Sequence, residues 1–189
     1  MQSDDVRVRL ARGAARGDSE SLAELLRELE PLVVRTVRLI VGSGSWAAED
    51  AAQEALIDLV RGIQTLRAPE AATAWALRVA TTRALKVARR ERLLSLRRSA
   101  LADLELAGRP HDGRAAALKD AFDQLPPRLR ATAVLRLYVG LGEAETAETL
   151  HCSLGTVKSN LHDARKRLTA SLGESGFAPV VLHAVEEIA

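Results

Sequence analysis

Residues 142–168 read GEAETAETLHCSLGTVKSNLHDARKRL: two runs with apolar positions at helical spacing, broken by His151-Cys152-Ser153. In the second run Leu154, Val157, Leu161, Ala164 and Leu168 recur at alternating three- and four-residue steps, which predicts one buried stripe along a helix. At about 100° per residue, Gly155, Ser159, His162, Asp163 and Lys166 project from the opposite side, with Thr156, Lys158 and Arg165 toward its edges. That face is polar and mostly basic. Ser153 stands where an N-cap belongs, its hydroxyl able to accept from free amides of the first turn. The first run is expected to bury Ala144, Ala147 and Leu150, the alanines letting two helices approach closely. Such a pair is a helix-turn-helix, whose second helix suits the major groove of DNA. A helical hairpin with one solvated face, touching no DNA, fits the same pattern.

Composition favours helices throughout. Hydrophobic residues make up 47% of the 189-residue chain, enough for one domain or two small ones, while aromatics supply only 3%. A core of Ala, Leu and Val favours helices over sheets, so the expected fold class is all-α. The 27 basic and 25 acidic side chains nearly cancel, leaving a net charge of +2, so the distribution of charge matters more than its sum. Cys152 is the single cysteine, which excludes an internal disulfide and a cysteine metal cluster; in the turn it reads as a small buried apolar residue. The N-terminus MQSDDVRVRLARG lacks the apolar core of a signal peptide, and no apolar run approaches the roughly 20 residues of a membrane span. A soluble, cytoplasmic protein without membrane insertion is expected.

Before the helix-turn-helix, the chain divides into helical stretches. A first helix is expected over Val6–Ala15, with Asp18 or Ser19 capping a long second one whose buried side is Leu22, Leu25, Leu26, Leu29, Leu32, Val33, Val37 and Ile40. Pro31 is expected to kink or restart it. Trp46–Ile63 carries Ala52, Ala55, Leu56, Leu59 and Ile63 on one side and Asp50, Gln53, Glu54, Ile57 and Arg61 on the other. An isoleucine ringed by charge suggests a protein partner; a solvated face with one stray apolar residue is the alternative. After a loop over Gln64–Ala72, a helix over Thr73–Arg92 buries Ala76, Leu77, Ala80, Ala84, Val87 and Ala88, and turns Arg78, Thr82, Lys86, Arg89 and Arg90 outward, with Arg83 at the margin. Clustered positive charge of this kind is a footprint for a phosphate backbone. Trp75 lies on the basic side by angle, where it either packs on the core or stacks near a base.

From Ser99 the pattern loosens through Gly108, Pro110, Asp112 and Gly113, which places an inter-domain linker at 99–113 between units 1–98 and 114–175. Phe122 and Leu125 close the first helix of the second unit, and Pro126-Pro127 start the next, where proline is tolerated in the first turn. Residues 176–189 form a tail with no readable role.

Taken in order, these stretches resemble a compact bacterial RNA polymerase sigma factor of the extracytoplasmic-function (ECF) group. AEDAAQEALIDLV (48–60) looks like that family's polymerase-binding helix, and AWALRVATTRALKVARR (74–90) like its minus-10 helix. LPPRLRATAVLR (125–136), followed by the helix-turn-helix, looks like its minus-35 domain. The resemblance implies that Asp50, Gln53, Glu54, Ile57 and Arg61 dock on core RNA polymerase. It places Arg78, Thr82, Arg83, Lys86, Arg89 and Arg90 near minus-10 DNA, and Thr156, Lys158, Ser159, Asn160, His162, Arg165 and Lys166 near the minus-35 element. An anti-sigma protein is an implied further partner.

The chain departs from the family at several positions. An asparagine and an acidic residue are usual where Thr82 and Lys86 stand, and the loop Thr65–Ala72 lacks the aromatic and basic residues often found there. Basic residues usual at 160 and 163 are here Asn160 and Asp163. Losing two phosphate contacts flattens the salt dependence of DNA binding by about two log-log units, while Asn160 is suited to an adenine edge. His151 takes a turn position that glycine often occupies, and histidine tolerates positive φ better than most residues. No phosphate loop, nucleophile-base set or metal-ligand spacing occurs, and His111, His151, His162 and His183 are dispersed, so no catalytic residue, metal or cofactor is expected. The competing reading is a conventional helix-turn-helix regulator whose N-terminal helices dimerise or sense a signal.

Overall fold

The computed structural model describes residues 2–42, 45–101 and 114–172. These form eight α-helices and, among the described residues, no strand. The expected tail, and the linker beyond Leu101, lie outside them.

α1 (Gln2–Ala15) ends in a turn, and Asp18 caps α2 (Ser19–Val41), its carboxylate accepting from the Glu20 and Ser21 amides at 3.2 and 3.4 Å. The Ser21 hydroxyl also donates to it, and together these bonds hold the Asp18 pKa below its ordinary value. α2 is not restarted at Pro31. It runs through because Leu25, Leu29, Val33, Val37 and Ile40 lie on one buried stripe spanning both sides of the proline, and tertiary packing outweighs one missing amide. Gly42 ends it at φ +124°, a backbone conformation open chiefly to glycine.

α3 (Trp46–Gly62) leads into two 3-10 turns, Ile63–Thr65 and Pro69–Ala71, where the sequence suggested an open loop. α4 (Ala72–Leu101) then extends past the expected end at Arg92. The helices α2, α3 and α4 pack closely because alanines line the seams: Ala48, Ala51, Ala52 and Ala55 on α3, and Ala76, Ala80, Ala84 and Ala88 on α4, are all buried. Trp75 packs on Gly62, where an added Cβ would stand 3.0 Å from its ring. Packing is its role in this fold.

The C-terminal half comprises α5 (Arg114–Asp123), α6 (Pro127–Ala133), α7 (Glu143–Leu150) and α8 (Leu154–Leu172). Pro127 is the first residue of α6, and α6 runs on into a single π turn, Val134–Tyr138, which Val139 and Leu141 close by donating to Val134 and Leu135. The halves share one hydrophobic cluster, from Leu10 through Ala76, Ala80 and Ala84 of α4 to Leu168, with Leu137, Tyr138, Val139 and Leu141 packed against it.

Candidate functional site

The helix-turn-helix forms as its capping chemistry requires. Glu145 accepts from the Gly142 amide at 2.7 Å at the start of α7. His151 ends α7 at φ 49°, ψ 56°, the left-handed conformation, and is the one non-glycine residue with positive φ among the described residues. The Cys152 amide then bonds back to the Ala147 carbonyl at 3.0 Å, and Cys152 itself is half-buried in the turn. Ser153 Oγ accepts from the Thr156 amide at 3.1 Å and lies 2.9 Å from the Thr156 hydroxyl, capping α8.

Val157, Leu161, Ala164 and Leu168 are buried as the stripe predicts, but Leu154 is 50% exposed. It is the first residue of α8. Ala144 is exposed as well, and Thr146 and Thr149 are buried beside Ala147 and Leu150, because α7 presents a different edge to the core than spacing alone suggests. Thr156, Lys158, Ser159, His162, Arg165 and Lys166 all face solvent, as does Arg167, which the sequence reading passed over. Asn160 is different. It is half-buried and its amide reaches the Thr132 hydroxyl of α6 at 3.4 Å, so pairing with a base edge would require giving up that contact.

On α3, Asp50, Gln53, Glu54, Ile57 and Arg61 are exposed together. Two apolar side chains extend the same stripe, Trp46 at 80% and Val60 at 43% exposure, flanking Ile57 at 47%. Sequence reasoning missed both: Trp46 opens the helix, and Val60 falls between the two wheel faces. Glu49 lies beside the stripe, paired with Arg38 at 2.6 Å.

α4 carries Thr82, Lys86, Arg89 and Arg90 exposed to solvent. Its other two basic candidates are engaged elsewhere. Arg78 pairs with Glu148 of α7 at 2.9 Å, joining the two halves of the chain. Arg83 spans to α3, its Nη1 2.9 Å from Glu54 and its Nε 2.5 Å from Asp58. The hydrogen bond to Asp58 holds the Arg83 guanidinium more firmly protonated still.

A second joint between the halves was invisible in the sequence. Arg130 of α6 is buried, donating from Nη1 to the Val41 carbonyl at 3.0 Å and to Asp123 Oδ1 at 3.2 Å, and from Nη2 to the carbonyls of Asp123 and Leu125 at 2.6 and 3.2 Å. Burial lowers the Arg130 pKa and raises that of Asp123 against the pull of the opposite charge. A raised carboxyl contributes stability below its ordinary pKa and loses it as pH rises through the folded value, so near neutrality Asp123 depends on Arg130. A cavity of about 300 Å³ beside the pair is lined by Gly42, Ser45, Glu91 and Arg92.

Two family models match the chain: sigma-70 region 2 over residues 25–93, which holds the α3 face and the basic part of α4, and sigma-70 region 4 over residues 115–168, which holds α5 to α8. The chain is 30% identical over 158 residues to the RNA polymerase sigma-E factor of Streptomyces coelicolor, covering 82% of this chain and 88% of that one. It belongs to the sigma-70 family of RNA polymerase sigma factors, in the ECF group. A 59-residue stretch is 46% identical to the ECF RNA polymerase sigma factor SigE of Mycolicibacterium smegmatis, covering 31% of this chain and 23% of that one. The fold is similar to that of CnrH, solved in complex with the cytosolic domain of CnrY, with a TM-score of 0.63 at 20% identity over 87% of this chain and 96% of that one.

As a sigma factor the chain directs promoter-specific transcription initiation by core RNA polymerase. Both regions occur in one chain in the order the resemblance implied, which favours this reading over a conventional regulator. No described helix is long and apolar enough to cross a membrane.

Proposed function

We propose that the sigma factor divides its work among three faces. The exposed stripe of α3, with Ile57 at its centre, Asp50, Gln53, Glu54 and Arg61 around it, and Trp46 and Val60 at its ends, docks on core polymerase. Thr82, Lys86, Arg89 and Arg90 of α4, joined by Arg78 when its pair with Glu148 opens, lie along minus-10 DNA. Thr156, Lys158, Ser159, His162, Arg165 and Lys166 of α8 enter the minus-35 major groove, with Asn160 at the margin. Residues 1–98 and 114–175 are the two working units, joined through 99–113, of which 99–101 still belong to α4.

The observation that carries this reading is an apolar stripe exposed within an acidic face, on a chain that also carries two separate basic helices. Neither basic helix needs such a stripe to bind DNA. The reading also requires opening: elements about 25 base pairs apart lie about 85 Å apart along the duplex, whereas Arg78 of α4 and Glu148 of α7 are 2.9 Å apart. The twelve residues 102–113 reach at most about 40 Å when extended and α4 runs about 16 Å past Arg90, so the breadth of the two units must cover the rest of the separation. The similar fold of the sigma factor RpoE, solved in complex with the anti-sigma factor NepR from Bartonella quintana, supports a further part of the reading, that an anti-sigma protein in the cytoplasm holds this chain until it is needed. The polymerisation chemistry stays with the core enzyme.

The test is holoenzyme assembly with purified core polymerase. Ile57→Asp and Asp50→Arg are expected to reduce core affinity about 100-fold or more while circular dichroism keeps its helical signal, since a charge placed at a central apolar anchor removes a binding hot spot. Full core binding by both variants would overturn the assignment of α3.

A further inference from the structure

The resemblance places Arg83 near minus-10 DNA, at the margin of the basic face of α4, yet its guanidinium is engaged by two carboxylates of α3. Glu54 and Asp58 stand four residues apart on α3, on adjacent turns of one face, and carboxylates at that spacing repel. Arg83 reaches across the seam between α3 and α4 and meets both, Nη1 on Glu54 at 2.9 Å and Nε on Asp58 at 2.5 Å. On the same two helices Ala55 and Leu59 of α3 and Ala80 and Ala84 of α4 are buried, and α3 packs directly on α4. Arg83 and Asp58 are each about 30% exposed, whereas Glu54 remains 58% exposed. The fork therefore screens Asp58 and holds Glu54 at the edge of the α3 stripe, one turn before Ile57 and one turn after Asp50.

We infer that Arg83 is a positioning residue for the polymerase-binding face and not a DNA contact. This rests on the proposed role of α3. The guanidinium has a rigid donor geometry, and donors committed to two α3 carboxylates are not directed at a phosphate. What it supplies is preorganisation: with Arg83 in place, Glu54 enters the complex already ordered, and the repulsion between Glu54 and Asp58 is relieved before docking. Lysine, a point charge on a flexible stem, satisfies one carboxylate at a time and restores the arrangement only in part.

Two measurements on the full-length protein separate the roles. One is the affinity for core RNA polymerase. The other is the slope of log affinity against log salt for a mixed-sequence duplex of about 30 base pairs, which counts phosphate contacts. Arg83→Met is expected to weaken core binding about fivefold to tenfold, with Arg83→Lys intermediate, and to leave the salt slope where it was; Arg90→Met lowers the slope by about one. In an Asp58→Asn background the effect of Arg83→Met on core affinity should shrink to about twofold, a non-additivity that loss of fold would not produce. A slope lowered by about one in Arg83→Met with core affinity intact makes Arg83 a phosphate contact and overturns the inference. So does a variant that changes neither quantity, or one whose core defect persists in full without Asp58. Because Ile57→Asp and Asp50→Arg report on α3 independently, their failure to disturb core binding would count against the face itself, while their success beside an inert Arg83→Met would count against the brace alone.

Discussion

α4 and α8 look alike in sequence, each an amphipathic helix with one basic side, but the fold treats them differently. α8 packs along a single stripe and leaves Lys158, Arg165, Lys166 and Arg167 in solvent, Lys158 still 65% exposed although it pairs with Glu143 at 3.5 Å. α4 is enclosed by α2 and α3 on one side and by α6 and α7 on another. Two of its arginines are consequently spent on acids from other elements, Arg78 on Glu148 and Arg83 on Glu54 and Asp58. A basic residue is fully available to a phosphate only when no carboxylate elsewhere in the chain both meets it and draws it out of solvent. That condition cannot be evaluated one helix at a time.

The contrast predicts a graded set of outcomes. The largest concerns Arg130, which fastens α6 to the end of α2 and so keeps α4 enclosed. Arg130→Met leaves Asp123 partly buried without its cation and is expected to cost about 2–3 kcal/mol in chemical denaturation; an unchanged midpoint and slope would mean that the joint contributes nothing to the enclosure. Next comes the open helix. Lys158→Ala combined with Arg165→Ala should lower duplex affinity about 30-fold near 0.15 M salt and flatten the salt slope by about two, whereas Arg78→Ala should move the slope by well under one because its charge is already engaged. Equal slopes per charge on the two helices would dissolve the distinction. Glu148→Gln should do the reverse of a loss, freeing Arg78 and tightening duplex binding about threefold at low salt, with the gain screened away at high salt. The smallest effect lies outside both helices. Asp18 has a folded pKa below its ordinary 3.8, so its capping contribution is complete above that pH and is lost as pH falls through the folded value. Stability measured from pH 5 downward should therefore fall more steeply in the wild type than in Asp18→Asn.

Much of the architecture was legible in order along the chain. The alternating steps of α8, the alanine seams of α3 and α4, the proline opening α6 and the caps at Asp18 and Ser153 are all encoded within four or five residues of where they act. Ile57 stood out because an apolar residue amid Asp50, Gln53 and Glu54 violates the pattern of its own helix. Trp46 and Val60 gave no such contrast, and only their exposure adds them to the stripe. Periodicity places Leu154 on the buried side, yet as the first residue of α8 it stays half in solvent. Of the two outcomes open at Pro31, the restart does not occur, because the core holds both sides of α2 in place.

The sequence by itself determined most of the helices and the turn at His151, because helical period and capping are short-range properties of the backbone, and its motifs in their order carried the resemblance to the family. The tertiary structure alone decided which charges remain available. The partners of Arg83 lie 25 and 29 residues away, that of Arg78 lies 70 away, and the Val41 carbonyl that receives Arg130 lies 89 away. Such pairs form where packed helices happen to bring opposite charges within a few ångströms, and that geometry is a product of the whole core.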